Sequence, residues 1–181
     1  MTQQELRTVL QQWDKHGEWL FTINELALMF PNETRSQLRL SLHRHVATGV
    51  LIRISKGVYA NGDARSRPFY VLEAIAQKLR AYEMNYISLE SALSEYGRIS
   101  QVPIGLLTLM TTGRSGFFLT PWGNIEFIHT KRTPPAILSA TFFSQERNIL
   151  FATEETALRD LKVVGRNLDL VEIRQEKYEH G

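Results

Sequence analysis

Arg35, Ser36, Gln37, Arg39 and Arg44 fall within one short stretch, and Arg53 and Lys56 follow soon after. Arginine offers a planar fork of donors that matches a guanine edge or a phosphate. Glutamine can grip the adenine edge, and lysine is a point charge for phosphate. Gathered on one surface, these residue types do the chemistry of duplex DNA recognition. The field that draws in a polyanion is also local. Between residues 33 and 67, seven Lys/Arg stand against Glu33 and Asp63, although the whole chain carries a net charge of only +2. Residues 1–67 hold nine Lys/Arg and six Asp/Glu, and the remainder holds twelve and thirteen. Phosphate affinity follows such clustering rather than the global charge.

Other candidate chemistry is weaker. Thr111-Thr-Gly-Arg-Ser-Gly116 has the look of a phosphate loop but lacks the Gly-Lys-Ser/Thr ending and a following helix, so it reads as a hairpin turn. Nor is Gly113-Arg-Ser-Gly116 a nucleophile elbow, which needs a serine two residues from each glycine. Glu126, His129 and Lys131 are nuclease-like residue types, yet on an alternating strand Glu126 faces away from the other two. His43 and His45 lie two apart on a helix and diverge by about 200°, which opposes a joint metal site. The absence of cysteine removes thiolate metal sites, disulfides and thiol nucleophiles. No catalytic residue, cofactor or metal is therefore expected, and the chain does not read as an enzyme.

The elements that must position the basic residues are legible between Thr22 and Tyr59. A helix opens at Thr22, where Glu25 completes a capping-box spacing, and stops before Pro31. Leu26, Ala27 and Phe30 are its expected inward residues. A second helix begins near Glu33 and ends at Gly49, with Leu38, Leu42 and Val46 as its inward stripe. Ser36, Gln37, Leu40, Ser41 and Arg44 then lie on the opposite side, with Arg39 and His43 flanking. Val50–Ala60 alternates as a ribbon with Lys56-Gly57 at its tip, Leu51, Arg53 and Ser55 on one face and Ile52 and Ile54 on the other. An earlier helix over 2–16 carries Leu6, Val9, Leu10 and Trp13, and Trp19 and Phe21 suggest a short strand pairing with the ribbon. This order is that of a winged helix–turn–helix, whose second helix lies in the major groove.

After a polar linker, Asn61–Arg67, helices are expected over 68–83 and Leu89–Tyr96 and after Thr153. Strands are expected near Tyr86-Ile87, Ile104–Met110, Phe117–Leu119, Ile125–His129 and Asn148–Ala152. The fold class is thus α+β, with a winged helix–turn–helix over 1–67 and a small α/β domain over 68–181. No apolar run approaches the roughly 20 residues that span a bilayer. The N-terminus carries acids and no apolar core of a secretory signal, so a cytoplasmic protein without a membrane partner is expected.

Two sets of segments in this order resemble the AbiEi-family antitoxins of type IV toxin–antitoxin systems. The first is Leu-Arg-Leu-Ser-Leu-His-Arg-His-Val-Ala-Thr-Gly followed by Val-Leu-Ile-Arg-Ile-Ser-Lys-Gly-Val-Tyr59. The second is the succession of residues 86–97, Thr111–Gly116, 125–130 and 149–161. The resemblance spans most of the chain, although the chain ends about 20 residues after Ala-Leu-Arg-Asp-Leu, where fuller members continue. It implies a non-enzymatic protein with two tasks. The first domain would bind inverted repeats in the promoter of its own operon through Arg35, Ser36, Gln37, Arg39, Arg44, Arg53 and Lys56. The second would counteract a cognate nucleotidyltransferase-fold toxin, with direct binding of that toxin left open. The alternatives are a winged-helix transcription regulator with a ligand- or partner-sensing C-terminal domain, and a nuclease using Glu126.

Overall fold

The structure, a computed structural model, describes residues 1–99 and 104–171, so the polar tail from Glu172 lies outside the described residues. It is an α+β chain that divides into two compact units. One comprises Met1–Ala81 with Phe118–Trp122, and the other Tyr82–Phe117 with Gly123–Gly181.

In the first unit the order is α1 (Gln3–Asp14), β1 (Leu20–Thr22), α2 (Ile23–Met29), α3 (Arg35–Ala47), β2 (Leu51–Ser55), β3 (Val58–Asn61) and α4 (Val71–Leu79). The three strands form an antiparallel sheet in the order β1-β3-β2. This is the winged helix–turn–helix expected from the sequence, including the short strand that joins the ribbon. Its core gathers Leu6 and Leu10 of α1, Phe21, Leu26, Leu38 and Leu42, with Val50, Leu51 and Tyr59 of the wing. Two expected core residues face solvent instead: Trp13 is 42% exposed, and Ala27 is exposed. Strict alternation of the ribbon also fails. A β-bulge between Arg53 and Ser55 lets Leu51 and Ile54, three apart, both be buried.

Three helices of this unit begin in the same way. Thr2, Thr22 and Thr34 each accept a hydrogen bond from the backbone N–H three residues on, and Glu5, Glu25 and Gln37 reach back to the threonine N–H. Each box satisfies two amides that the helix itself leaves unpaired. The cap at Thr34 sets where α3 starts and hence which of its residues project together. Thr34→Ala is expected to lower stability by about 1 kcal/mol, with Thr34→Ser close to the parent. Urea unfolding of both variants checks this; equal losses would show that the hydroxyl is not the cause.

The boundary expected at residue 67 falls inside this unit. The Asp14 carboxylate accepts from the Arg65 and Ser66 N–H groups and from Ser66 Oγ at 2.6 Å, which fixes the segment read as a linker. Against the upward push of burial, the bonds from Ser66 and Arg65 hold Asp14 below the usual carboxylate range. Beyond it α4 packs on β1, and Lys78 Nζ donates to Glu25 Oε1 at 2.7 Å. Trp122 meets Trp19 edge-on at 5.7 Å, with the Arg67 guanidinium over its ring.

The second unit contains β4 (Asn85–Ile87), α5 (Leu89–Glu95), β5 (Leu106–Thr111), β6 (Gly116–Thr120, whose last residues count with the first unit), β7 (Gly123–His129), α6 (Pro134–Ala140), β8 (Thr141–Ser144), β9 (Ile149–Ala152) and α7 (Glu154–Val164). The sheet is mixed, in the order β6-β7-β5-β4-β9-β8, with β5 parallel to β7 and β4 parallel to β9. The expected strand at Ile104–Met110 starts two residues later, and Ile104 is exposed. The helix α6 and the strand β8 were not expected. Pro134-Pro135 reads as a break, but prolines at the first helical positions lose no needed N–H, so they open α6, and β8 follows directly.

Candidate nucleic-acid interface

The outward face of α3 follows from which of its residues the core takes. Leu38, Ser41, Leu42 and His45 are buried. At about 100° per residue, the direction opposite that stripe is occupied by Ser36, Leu40, His43 and Ala47. All four are exposed, Leu40 at 63%. Arg35 and Arg39 lie along one flank of this line, Gln37 and Arg44 along the other, and each is exposed. The expected outward position of Ser41 is corrected: it faces inward, a single step of 100° from Leu42.

The wing supplies the second basic surface. β2 and β3 are joined by Lys56-Gly57, with Ser55 opposite Val58. Gly57 has φ +82°, a conformation that side-chain-bearing residues rarely adopt, and its carbonyl accepts from Ile23 N–H at 2.8 Å. That bond anchors the wing tip to the start of α2 and leaves Lys56 exposed. Arg53 is exposed too, its Nε donating to the Ser55 carbonyl at 3.3 Å. From Thr34 to Gly62, covering α3 and the whole wing, there is no Asp or Glu.

The seven sequence-picked residues therefore share one acid-free stretch and are all exposed, but they are not equally available. Gln37 Oε1 accepts from Thr34 N–H at 2.9 Å and from Thr34 Oγ1 at 2.7 Å. A bidentate adenine contact needs that same oxygen, so the cap competes with base reading. Arg44 Nη2 donates to the buried Ser41 Oγ at 3.1 Å, which turns its guanidinium back along the helix flank. Thr34-x-x-Gln37 carries the capping signal in sequence, and Ser41 and Arg44 have the i,i+3 spacing of a helical pair, although the burial of Ser41 is not legible there.

The two histidines diverge as expected. His43 is exposed, whereas His45 is buried with Nε2 unpartnered, and burial holds its pKa below the usual histidine value. Among the described residues no cluster of three or more His, Cys, Asp or Glu could hold a metal ion.

In the second unit the ionisable groups face one another. Asp160 Oδ2 accepts from Tyr86 OH at 3.1 Å and Ser88 Oγ at 2.8 Å, and Oδ1 from Arg132 Nη2 at 2.6 Å. Burial and the neighbouring carboxylate push the Tyr86 phenol up. Arg166 forms two bonds with Glu126, both at 2.8 Å, and two with Glu90 at 2.8 and 3.1 Å, while Asn167 Nδ2 adds a further donor to Glu90. Burial alone would raise the Glu90 pKa; these hydrogen bonds outweigh it and hold the carboxyl below the usual range. Glu126, the residue a nuclease reading would use, is thus engaged by arginine. The Thr111–Gly116 segment joins two strands, and its turn is closed by Gly113 N–H donating to Thr111 Oγ1. The buried acid at 160 does leave a trace in sequence, because it falls on the same helical stripe as Ala157 and Leu161.

No helix among the described residues is long and apolar enough to cross a membrane. No protein-family model matches the chain, and no curated protein sequence does. Among solved structures, the crystal structure of the RV2827C protein from Mycobacterium tuberculosis is similar, at 16% identity and a TM-score of 0.46. The match covers 83% of this chain and 57% of that one, so the chain spans little more than half the length of that protein.

Proposed function

We propose that this chain binds duplex DNA through α3 and the wing as a transcriptional autorepressor, and serves as the antitoxin to a nucleotidyltransferase-fold toxin. The observation that supports the DNA half is the exposure of Arg35, Ser36, Arg39, Arg44, Arg53 and Lys56 on the second helix and wing of a winged helix–turn–helix, within a span of sequence that holds no acid. A helix of this kind fits the major groove, while the wing tip reaches the adjoining phosphates. The antitoxin half rests on the ordered segments that resemble AbiEi-family proteins. In this reading inverted repeats in its own promoter are the DNA target, the protein is cytoplasmic, and it performs no catalysis.

The test joins both halves. Duplex from its own promoter is titrated with the full chain at several salt concentrations. Log affinity is expected to fall linearly with log salt, and Lys56→Ala to flatten the slope by about one while lowering affinity evenly across sequences. Co-expression with the toxin-like neighbour is expected to restore growth. Salt-independent or absent DNA binding would sink the first half, and failure to restore growth the second.

A further inference from the structure

The centre line of α3 carries no Arg, Lys, Asp or Glu and is apolar at Leu40, and this bears on which base pairs the helix accepts. Resting on the duplex-binding reading above, we infer that Leu40 is a specificity-determining residue that selects a thymine through its 5-methyl group, while Arg39 and Arg44 hold the phosphates on either side.

The geometry carries this in three steps. Leu40 projects opposite the stripe made by Leu38, Leu42 and His45, with the short side chains of Ser36 and Ala47 and the imidazole of His43 on the same line. When the helix seats in a groove, that line meets the groove floor, and Leu40 is the long apolar group on it. Arg39 and Arg44 stand about 70° to either side of the line, at 100° per residue, where the walls of the groove carry phosphates. Arg44 is further turned aside by its bond to Ser41 Oγ.

Desolvation chemistry then decides what lies beneath Leu40. Most major-groove base edges present donors or acceptors, and pressing a leucine onto one strips its water and returns no hydrogen bond. The thymine methyl is the apolar group in that groove, so thymine is the base whose edge gains from the contact. A lone exposed leucine is ordinary on a protein surface. Here its position on the centre of an otherwise basic face makes it a discriminator.

The test uses uracil, which pairs as thymine does but lacks the methyl. The preferred duplex is selected from a random pool with the full chain, and each thymine is replaced by uracil in turn. For the parent, one thymine per bound α3 is expected to lose about fourfold in affinity on replacement, the worth of one buried methyl. Leu40→Ala is expected to bind the thymine duplex less well by a similar factor and to treat thymine and uracil at that position alike. Because Leu40 is exposed, the variant should melt as the parent does. Salt-dependent duplex binding in which no uracil replacement separates the parent from Leu40→Ala overturns the inference and leaves the duplex-binding reading standing. Absence of salt-dependent duplex binding by the parent removes that reading, and the inference with it.

Discussion

Replacing Arg39 and Arg44 together by glutamate is expected to lower duplex affinity by about 100-fold at 0.1 M salt, or roughly 3 kcal/mol. Two cationic contacts are lost, and two carboxylates are set against the phosphates from opposite flanks of α3. Both side chains are exposed, and the substitution breaks the bond from Arg44 to Ser41 Oγ. Folding should therefore change little, which circular dichroism and urea unfolding can confirm beside the binding titration. The salt slope should shrink by about two relative to the parent. If affinity falls by less than threefold while the fold is intact, α3 is not the binding surface. The same variant separates the two proposed tasks: it should still restore growth when co-expressed with the toxin, because the proposed antitoxic work lies in the second unit.

Arg166→Met should destabilise the second unit by roughly 3 kcal/mol at neutral pH, because it strands a charge that burial disfavours. Glu90 has a side chain only 3% exposed, and Arg166 supplies two of its three side-chain donors. In the parent the Glu90 carboxyl is held below its ordinary pKa. Its contribution to stability is accordingly complete above the unfolded-state value near 4.3 and fades as pH falls through the lower folded value. Without the guanidinium, burial prevails, the folded pKa rises above the unfolded one, and the sign inverts. Acidification from neutrality should then relieve part of the penalty. Urea midpoints at pH 7 and pH 5 distinguish the cases, with a deficit equal at both values counting against the argument. Glu90→Gln added to Arg166→Met should recover part of the loss, since it removes the stranded charge.

The first unit was read from its sequence almost element by element because its signals are local. A threonine with Glu25 three positions on, an i/i+4 leucine stripe in Leu38 and Leu42, and a Lys-Gly turn between two β-branched runs each fix a few adjacent dihedrals. The same holds for Thr153 at the head of α7, which does cap it by accepting from Thr156 N–H. Local signals failed where a distant partner decides the outcome. Asp14 ties down residues 65 and 66, more than fifty positions away, and turns an apparent linker into part of the first unit. Ser88, positioned to cap α5, gives its hydroxyl to Asp160 instead, because a buried carboxylate binds a donor strongly and the Ser91 N–H at the buried head of α5 already donates to Thr108 Oγ1.

What the sequence determined by itself is the basic, acid-free span, its winged helix–turn–helix and the outward course of α3, since charge and helical periodicity are properties of neighbouring residues. What the tertiary structure alone decided is the use of the polar side chains whose partners are distant in sequence. Asp14 holds the Arg65 and Ser66 amides, Ser88 gives its hydroxyl to Asp160, and Glu126 is taken by Arg166. The reason is that hydrogen-bond partners are chosen by proximity in space, and a residue's type states only what it could bind, never what stands within reach.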